Sequence, residues 1–135
     1  MHAALSAALL LTLDIPWVML FMGPRYKKMV AAIQQGDPMR ASLWKAAVSY
    51  ALMVIGMTVF VSPAFRQGSV AGAVGRAALF GAVVYGIFDF TAAAVFGDWD
   101  MKLAVIDVAW GSFVFAAASL GAYMIDHKII PHRSA

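Results

Sequence analysis

The sequence contains no cysteine, and every one of its seven acidic residues is an aspartate. Without cysteine there can be no disulfide, no thiolate metal site, no haem attachment and no thiol nucleophile. The absence says nothing about compartment, because a membrane protein held by helix packing needs no disulfides. Charge is also scarce, at 13% of 135 residues, while 63% are hydrophobic and mean hydropathy is +0.81. Soluble domains carry about 25% charge and about 45–50% apolar residues, so a water-soluble globule is excluded. No phosphate-binding loop, dinucleotide fingerprint, Ser-His-Asp set or zinc-protease motif occurs, and nothing implies a cofactor. The net charge of +3 does not point to nucleic acid, because the basic residues flank apolar runs instead of forming one stripe.

What is present is hydrophobic length. Four stretches can cross a bilayer, which takes about 20 residues. They are approximately residues 3–22, 46–65, 77–97 and 103–125, within a single membrane domain covering 1–135. The first is interrupted by Asp14 and Pro16, the third by Asp89 and the fourth by Asp107; the second carries no charge. Backbone groups in lipid must bond internally, and none of the runs alternates in polarity as a barrel strand would. The expected fold is therefore an all-α integral membrane protein, with four transmembrane helices in an antiparallel bundle. The first run lacks a basic start and a small-residue cleavage site, so it reads as a retained span. Pro16 should loosen or kink it.

The linkers expected between these spans are Gly23 to Ser42, the glycine-rich Arg66 to Arg76, and the short Asp98 to Lys102. A polar tail follows from Asp126. Arg25, Lys27, Lys28, Arg40, Lys45 and Lys102 fall on one face, against Arg66, Arg76, Lys128 and Arg133 on the other. Basic residues favour the cytoplasm, which puts the first and third loops inside and both termini outside. Small residues at four-residue spacing, such as Ala3/Ala7, Ala4/Ala8 and Ala117/Gly121, should let helices approach closely.

Three aspartates inside the spans are the strongest chemical signal, since each costs about 2.5–3.5 kcal/mol at mid-helix on insertion scales. All three fall in the half of the membrane under the basic first loop, with no lysine or arginine at their depth. Asp14 and Trp17, like Asp107 and Trp110, place a carboxyl and an indole one turn apart on a helix face. An indole N–H can donate to a carboxylate across a helix pair while its ring shields the polar group. Asp89 has Tyr85 one turn before it and Thr91 beside it. Three readings stand open: a polar network that fixes helix register, proton or cation handling by the carboxyls, and metal coordination by oxygen ligands. The histidines lie at the ends, where Asp126, His127 and His132 form either a loose metal site or a solvated tail.

These residues resemble the predicted bacterial four-span membrane family known as domain of unknown function 2177. Its aspartate-tryptophan pair corresponds to Asp14 and Trp17. Its third-helix run corresponds to Phe88-Asp89-Phe90-Thr91, and its fourth-helix motif to Asp107-Val108-Ala109-Trp110-Gly111. The sequence departs from the family pattern at Ala92, where an asparagine is expected, and at Pro16. The resemblance implies the same architecture and singles out the aspartates, but it implies no reaction. Two functions fit. One is a small proton- or cation-coupled transporter, acting as a homo-oligomer, that uses a cluster of Asp14, Trp17, Tyr85, Asp89, Thr91, Asp107 and Trp110. The other is an accessory or assembly subunit docking onto a larger membrane complex. An enzyme is less well supported, and the only partner common to all readings is the lipid bilayer.

Overall fold

The computed structural model describes residues 2–66 and 69–129 and contains four long apolar helices packed against one another. Helix α1 is composite: an α-helical part, His2–Pro16, a π-helical part, Trp17–Met22, and a second α-helical part, Gly23–Ile33. Helix α2 repeats the design with Leu43–Gly56, a π-helical part, Met57–Val61, and Ser62–Arg66. Helix α3 is Val70–Val95 and helix α4 is Met101–Ile129, both α-helical throughout.

Proline explains the two π segments. Each ends two residues before a proline, at Met22 before Pro24 and at Val61 before Pro63. A proline inside a helix has no N–H and its ring crowds the carbonyl four residues earlier. Widening the preceding turn accommodates both defects. Gly23 N–H donates to Val18 O, and Ser62 N–H to Met57 O, each a five-residue step. The helices therefore continue through residues that read as breaks.

This moves several boundaries. Gly23 to Ile33 is helix instead of linker, so the first connection shrinks to residues 34–42. The turn is made there by Gln35 and Gly36, both at positive φ (53° and 102°). Residues 70–76 are also helical despite Gly72 and Gly75, because the Ser69 hydroxyl accepts the Gly72 N–H at 3.1 Å and caps α3. At the far end α4 continues past Asp126 to Ile129. Candidate span one runs from Ala3 to Ile33, 31 residues or about 46 Å at 1.5 Å each. That exceeds the roughly 30 Å hydrocarbon core. The surplus length carries Arg25, Lys27 and Lys28, all exposed.

The tightest pairing is α3 with α4. Ala73, Ala77, Gly81, Tyr85 and Asp89 are buried at a strict four-residue spacing on α3. Ala104, Asp107, Gly111, Ala118 and Ala122 are among the buried residues of α4. Where the helices cross, a Cβ on Gly81 would come within 2.1 Å of the Gly111 carbonyl oxygen. One on Gly111 would meet the Tyr85 ring at 2.4 Å. Small residues thus permit backbone-to-backbone contact, as membrane helices require. The alanines near the start of α1 contribute less to such a seam, and Ala4 and Ala8 are exposed. An apolar core built around Leu10, Val61, Ala77, Val114 and Phe115 fills one part of the bundle. Tyr85 and Phe115, in edge-to-face contact at 6.3 Å, close that core against the polar cluster beyond it.

Candidate functional site

All three intramembrane aspartates are buried, with exposures of 1% for Asp14, 0% for Asp89 and 5% for Asp107. None has a basic partner among the described residues. Their donors are instead tyrosine hydroxyls and tryptophan N–H groups, and these come from every helix.

Asp14 joins all four. Its Oδ1 accepts from the Tyr85 hydroxyl of α3 at 2.6 Å and from the Trp110 indole of α4 at 2.9 Å. Its Oδ2 accepts from the Tyr50 hydroxyl of α2 at 2.7 Å. Tyr85 therefore serves Asp14 across the bundle and not its own-helix neighbour Asp89, because its side chain reaches beyond α3 to the facing helix.

The two aspartate-tryptophan pairs exchange partners. Trp110 donates to Asp14, while Trp17 donates to Asp107 Oδ1 at 2.9 Å. The two indoles stack at 4.3 Å with an interplanar angle of 8°. Ascending residues on α1 thus meet descending residues on α4, which makes the pair antiparallel. Phe21 extends the stack, lying 4.2 Å from Trp17. In this way one repeated spacing on two helices produces two interhelical hydrogen bonds under a shared aromatic cover.

The third group lies around Tyr26, on the last part of α1. Its hydroxyl is 2.9 Å from Asp107 Oδ2 and 3.4 Å from Asp89 Oδ1. The Trp99 indole also donates to Asp89 Oδ1, at 3.2 Å. Asp89 Oδ2 is buried and has no hydrogen-bond partner. The rings of Tyr26 and Trp99, which carry these two donors, pack with that of Phe88, with centroids 6.2 Å (Tyr26–Phe88), 5.7 Å (Tyr26–Trp99) and 5.8 Å (Phe88–Trp99) apart. Met29, one helical turn beyond Tyr26, receives the Asp100 N–H on its sulfur at 3.2 Å. The Gly23–Ile33 segment thereby reaches over the Asp89–Asp107 pair.

Of the residues singled out in the sequence, Asp14, Trp17, Tyr85, Asp89, Asp107 and Trp110 belong to this connected array. Thr91 lies elsewhere, exposed on α3 beside a shallow groove lined by Ile87 and Phe90. Among the described residues no three acidic or histidine side chains are grouped to hold a metal ion. His132 and the side chains of His2 and His127 lie outside the described residues. Sequence reasoning missed Tyr26, Tyr50 and Trp99. A signal for them existed: three buried acids without a base require neutral donors. The chain has only four tyrosines and four tryptophans, and six of those eight donate to these aspartates.

No curated protein and no protein of solved structure matches the chain. A family model does match, over residues 1–124, which is nearly the full length and includes all three aspartates and every donor described above. With four candidate spans and buried intramembrane acids, the chain belongs to the predicted membrane protein family DUF2177.

Proposed function

We propose that the protein is a proton-coupled membrane transporter in which Asp89, Tyr26 and Asp107 share one exchangeable proton. The observation that carries this reading is the single Tyr26 hydroxyl between two carboxyls, at 2.9 and 3.4 Å. A phenol has one hydrogen to donate. If Tyr26 donates to Asp107, its contact with Asp89 needs a proton on Asp89; if it donates to Asp89, the proton belongs on Asp107. One proton therefore has two homes, linked through the phenol oxygen. Asp14 differs, because all three of its partners donate and an ionised carboxylate satisfies each of them. Asp14 holds the bundle, and the Asp89–Asp107 pair handles the proton.

The basic end of the bundle supports an orientation in which this pair opens toward the cytoplasm of a bacterial inner membrane. A bundle of only four helices encloses little volume, so the path runs between hairpins or between copies of the chain. The test uses proteoliposomes loaded with a pH dye, under imposed potentials and substrate gradients. Parent protein is expected to carry protons, and Asp89→Asn and Asp107→Asn are expected to carry none while remaining folded. A parent that moves no proton under any imposed gradient would overturn the reading and leave the accessory-subunit alternative.

A further inference from the structure

We propose that the Asp89 corner binds an organic ammonium cation, the cargo that exchanges with the shared proton; this rests on the proton-coupled reading above. Two independent observations converge there. The first is the buried Asp89 Oδ2, an acceptor with no donor inside a residue that is fully buried. Such a group is costly to leave unmet, and a cationic ligand would meet it. The second is its surround. The Tyr26 hydroxyl and the Trp99 indole N–H both reach this carboxyl and their rings pack with that of Phe88, so three aromatic rings cluster beside it, with a second carboxyl, Asp107, on the other side of the Tyr26 hydroxyl. Aromatic faces attract cations, and tryptophan does so best.

The chemistry favours an organic cation over a metal ion. Calcium takes six to eight oxygen ligands, and magnesium demands near-octahedral oxygen geometry. No group of three acids or histidines is available here among the described residues. An ammonium group needs only one carboxylate and apolar or aromatic walls. The rings now stand about 6 Å apart, which leaves no room between them for that group. Admission therefore requires Tyr26 to swing away with the Gly23–Ile33 segment. That segment sits on the π-helical turn and on Gly23-Pro24, where the regular hydrogen-bond ladder is already interrupted. Phe88 is 54% exposed and forms the outer edge of this aromatic group.

The exchange balances simply. The cation takes its place at Asp89, the shared O–H bond breaks, and the proton leaves to water. The carboxyl pair goes from one negative charge to two, the bound cation returns the total charge of the site to its starting value, and no other bond forms or breaks.

The experiment is calorimetric titration of the detergent-solubilised protein with benzyltrimethylammonium, in two buffers of different ionisation heat. Its uncharged carbon isostere, neopentylbenzene, is the control. The parent is expected to bind the cation, ignore the isostere and release one proton for each cation bound. Asp89→Asn should weaken binding by about thirtyfold or more, the effect of removing one partner of a buried charge pair. Trp99→Leu should weaken it more than Trp99→Phe, which keeps an aromatic face, and Thr91→Ala should bind as the parent does. Equal binding of the isostere, unchanged binding by Asp89→Asn, or no binding by the parent would overturn the proposal. Infrared spectroscopy on the same samples separates the two readings. A protonated-carboxyl band lost at high pH in the parent and absent from Asp89→Asn, without cation binding, removes the cargo and leaves the shared proton. No such band in the parent removes both.

Discussion

Replacing Asp14 by leucine removes the acceptor for three donors at once, the Tyr50 and Tyr85 hydroxyls and the Trp110 indole. Interhelical hydrogen bonds in membrane proteins average about 0.6 kcal/mol and reach about 1.7. Three such bonds place the cost of Asp14→Leu between about 2 and about 5 kcal/mol. Asparagine should behave differently for a reason specific to this geometry. Its amide oxygen can replace Oδ1, accepting from Tyr85 and Trp110. Its NH2 then replaces Oδ2 and donates to the Tyr50 oxygen, since a hydroxyl accepts as readily as it donates. All three contacts survive, and only the charge assistance is lost, so about 1 kcal/mol is expected. The assay is reversible unfolding in mixed micelles with increasing denaturing detergent, followed by tryptophan fluorescence. A second comparison sharpens it. Tyr85→Phe should destabilise the parent but cost nothing in the Asp14→Leu background, where the hydroxyl is already orphaned. Equal losses for leucine and asparagine, or additive losses for the Tyr85 pair, would refute the idea that Asp14 ties the four helices.

Other substitutions test the packing, the indole donors and the orientation. Gly81→Ala should cost about 2 kcal/mol or more, because its Cβ would meet the Gly111 carbonyl at 2.1 Å. Gly75→Ala, with nothing within 4 Å, should be neutral or stabilising by up to about 1 kcal/mol in the same unfolding assay. Trp17→Phe keeps much of the stack but loses the donor to Asp107, and should lower stability by about 0.6–1.7 kcal/mol. Trp44→Phe, on a ring that is 69% exposed, should leave stability unchanged. For orientation, a cysteine in place of Asp37 should resist an impermeant thiol reagent in intact cells, whereas one in place of Ser134 should be labelled.

The four spans were legible because hydrophobic length is a cumulative signal, insensitive to any one residue. Their ends were not, because Gly23-Pro24, Pro63 and the glycines near Arg76 have the composition of linkers. Local composition cannot reveal that a π turn absorbs a proline, or that Ser69 caps a helix beginning six residues before Arg76. The cluster divides in the same way. Asp14, Trp17, Asp107 and Trp110 announce themselves by a repeated three-residue spacing on two spans. Tyr26 and Trp99 fell in segments read as loops, and Tyr50 in a span with no charge to draw notice. Their role depends on reach between helices, which no single-helix periodicity encodes. Tyr85 illustrates the point: spacing along α3 pairs it with Asp89, but its hydroxyl crosses to Asp14.

The partner exchange between the two aspartate-tryptophan pairs has a mechanical consequence. A single hydrogen bond between helices acts as a pivot, about which either helix can still turn. Two bonds at different heights, with a flat ring stack between them, oppose both turning and sliding. Helices α1, up to Trp17, and α4 therefore move as one strut. Any rocking that opens the bundle must occur at its other joints: where α2 hangs on Asp14 through Tyr50, or where α1 continues past its π turn toward Tyr26. The strut supplies the fixed frame against which those lighter parts can swing.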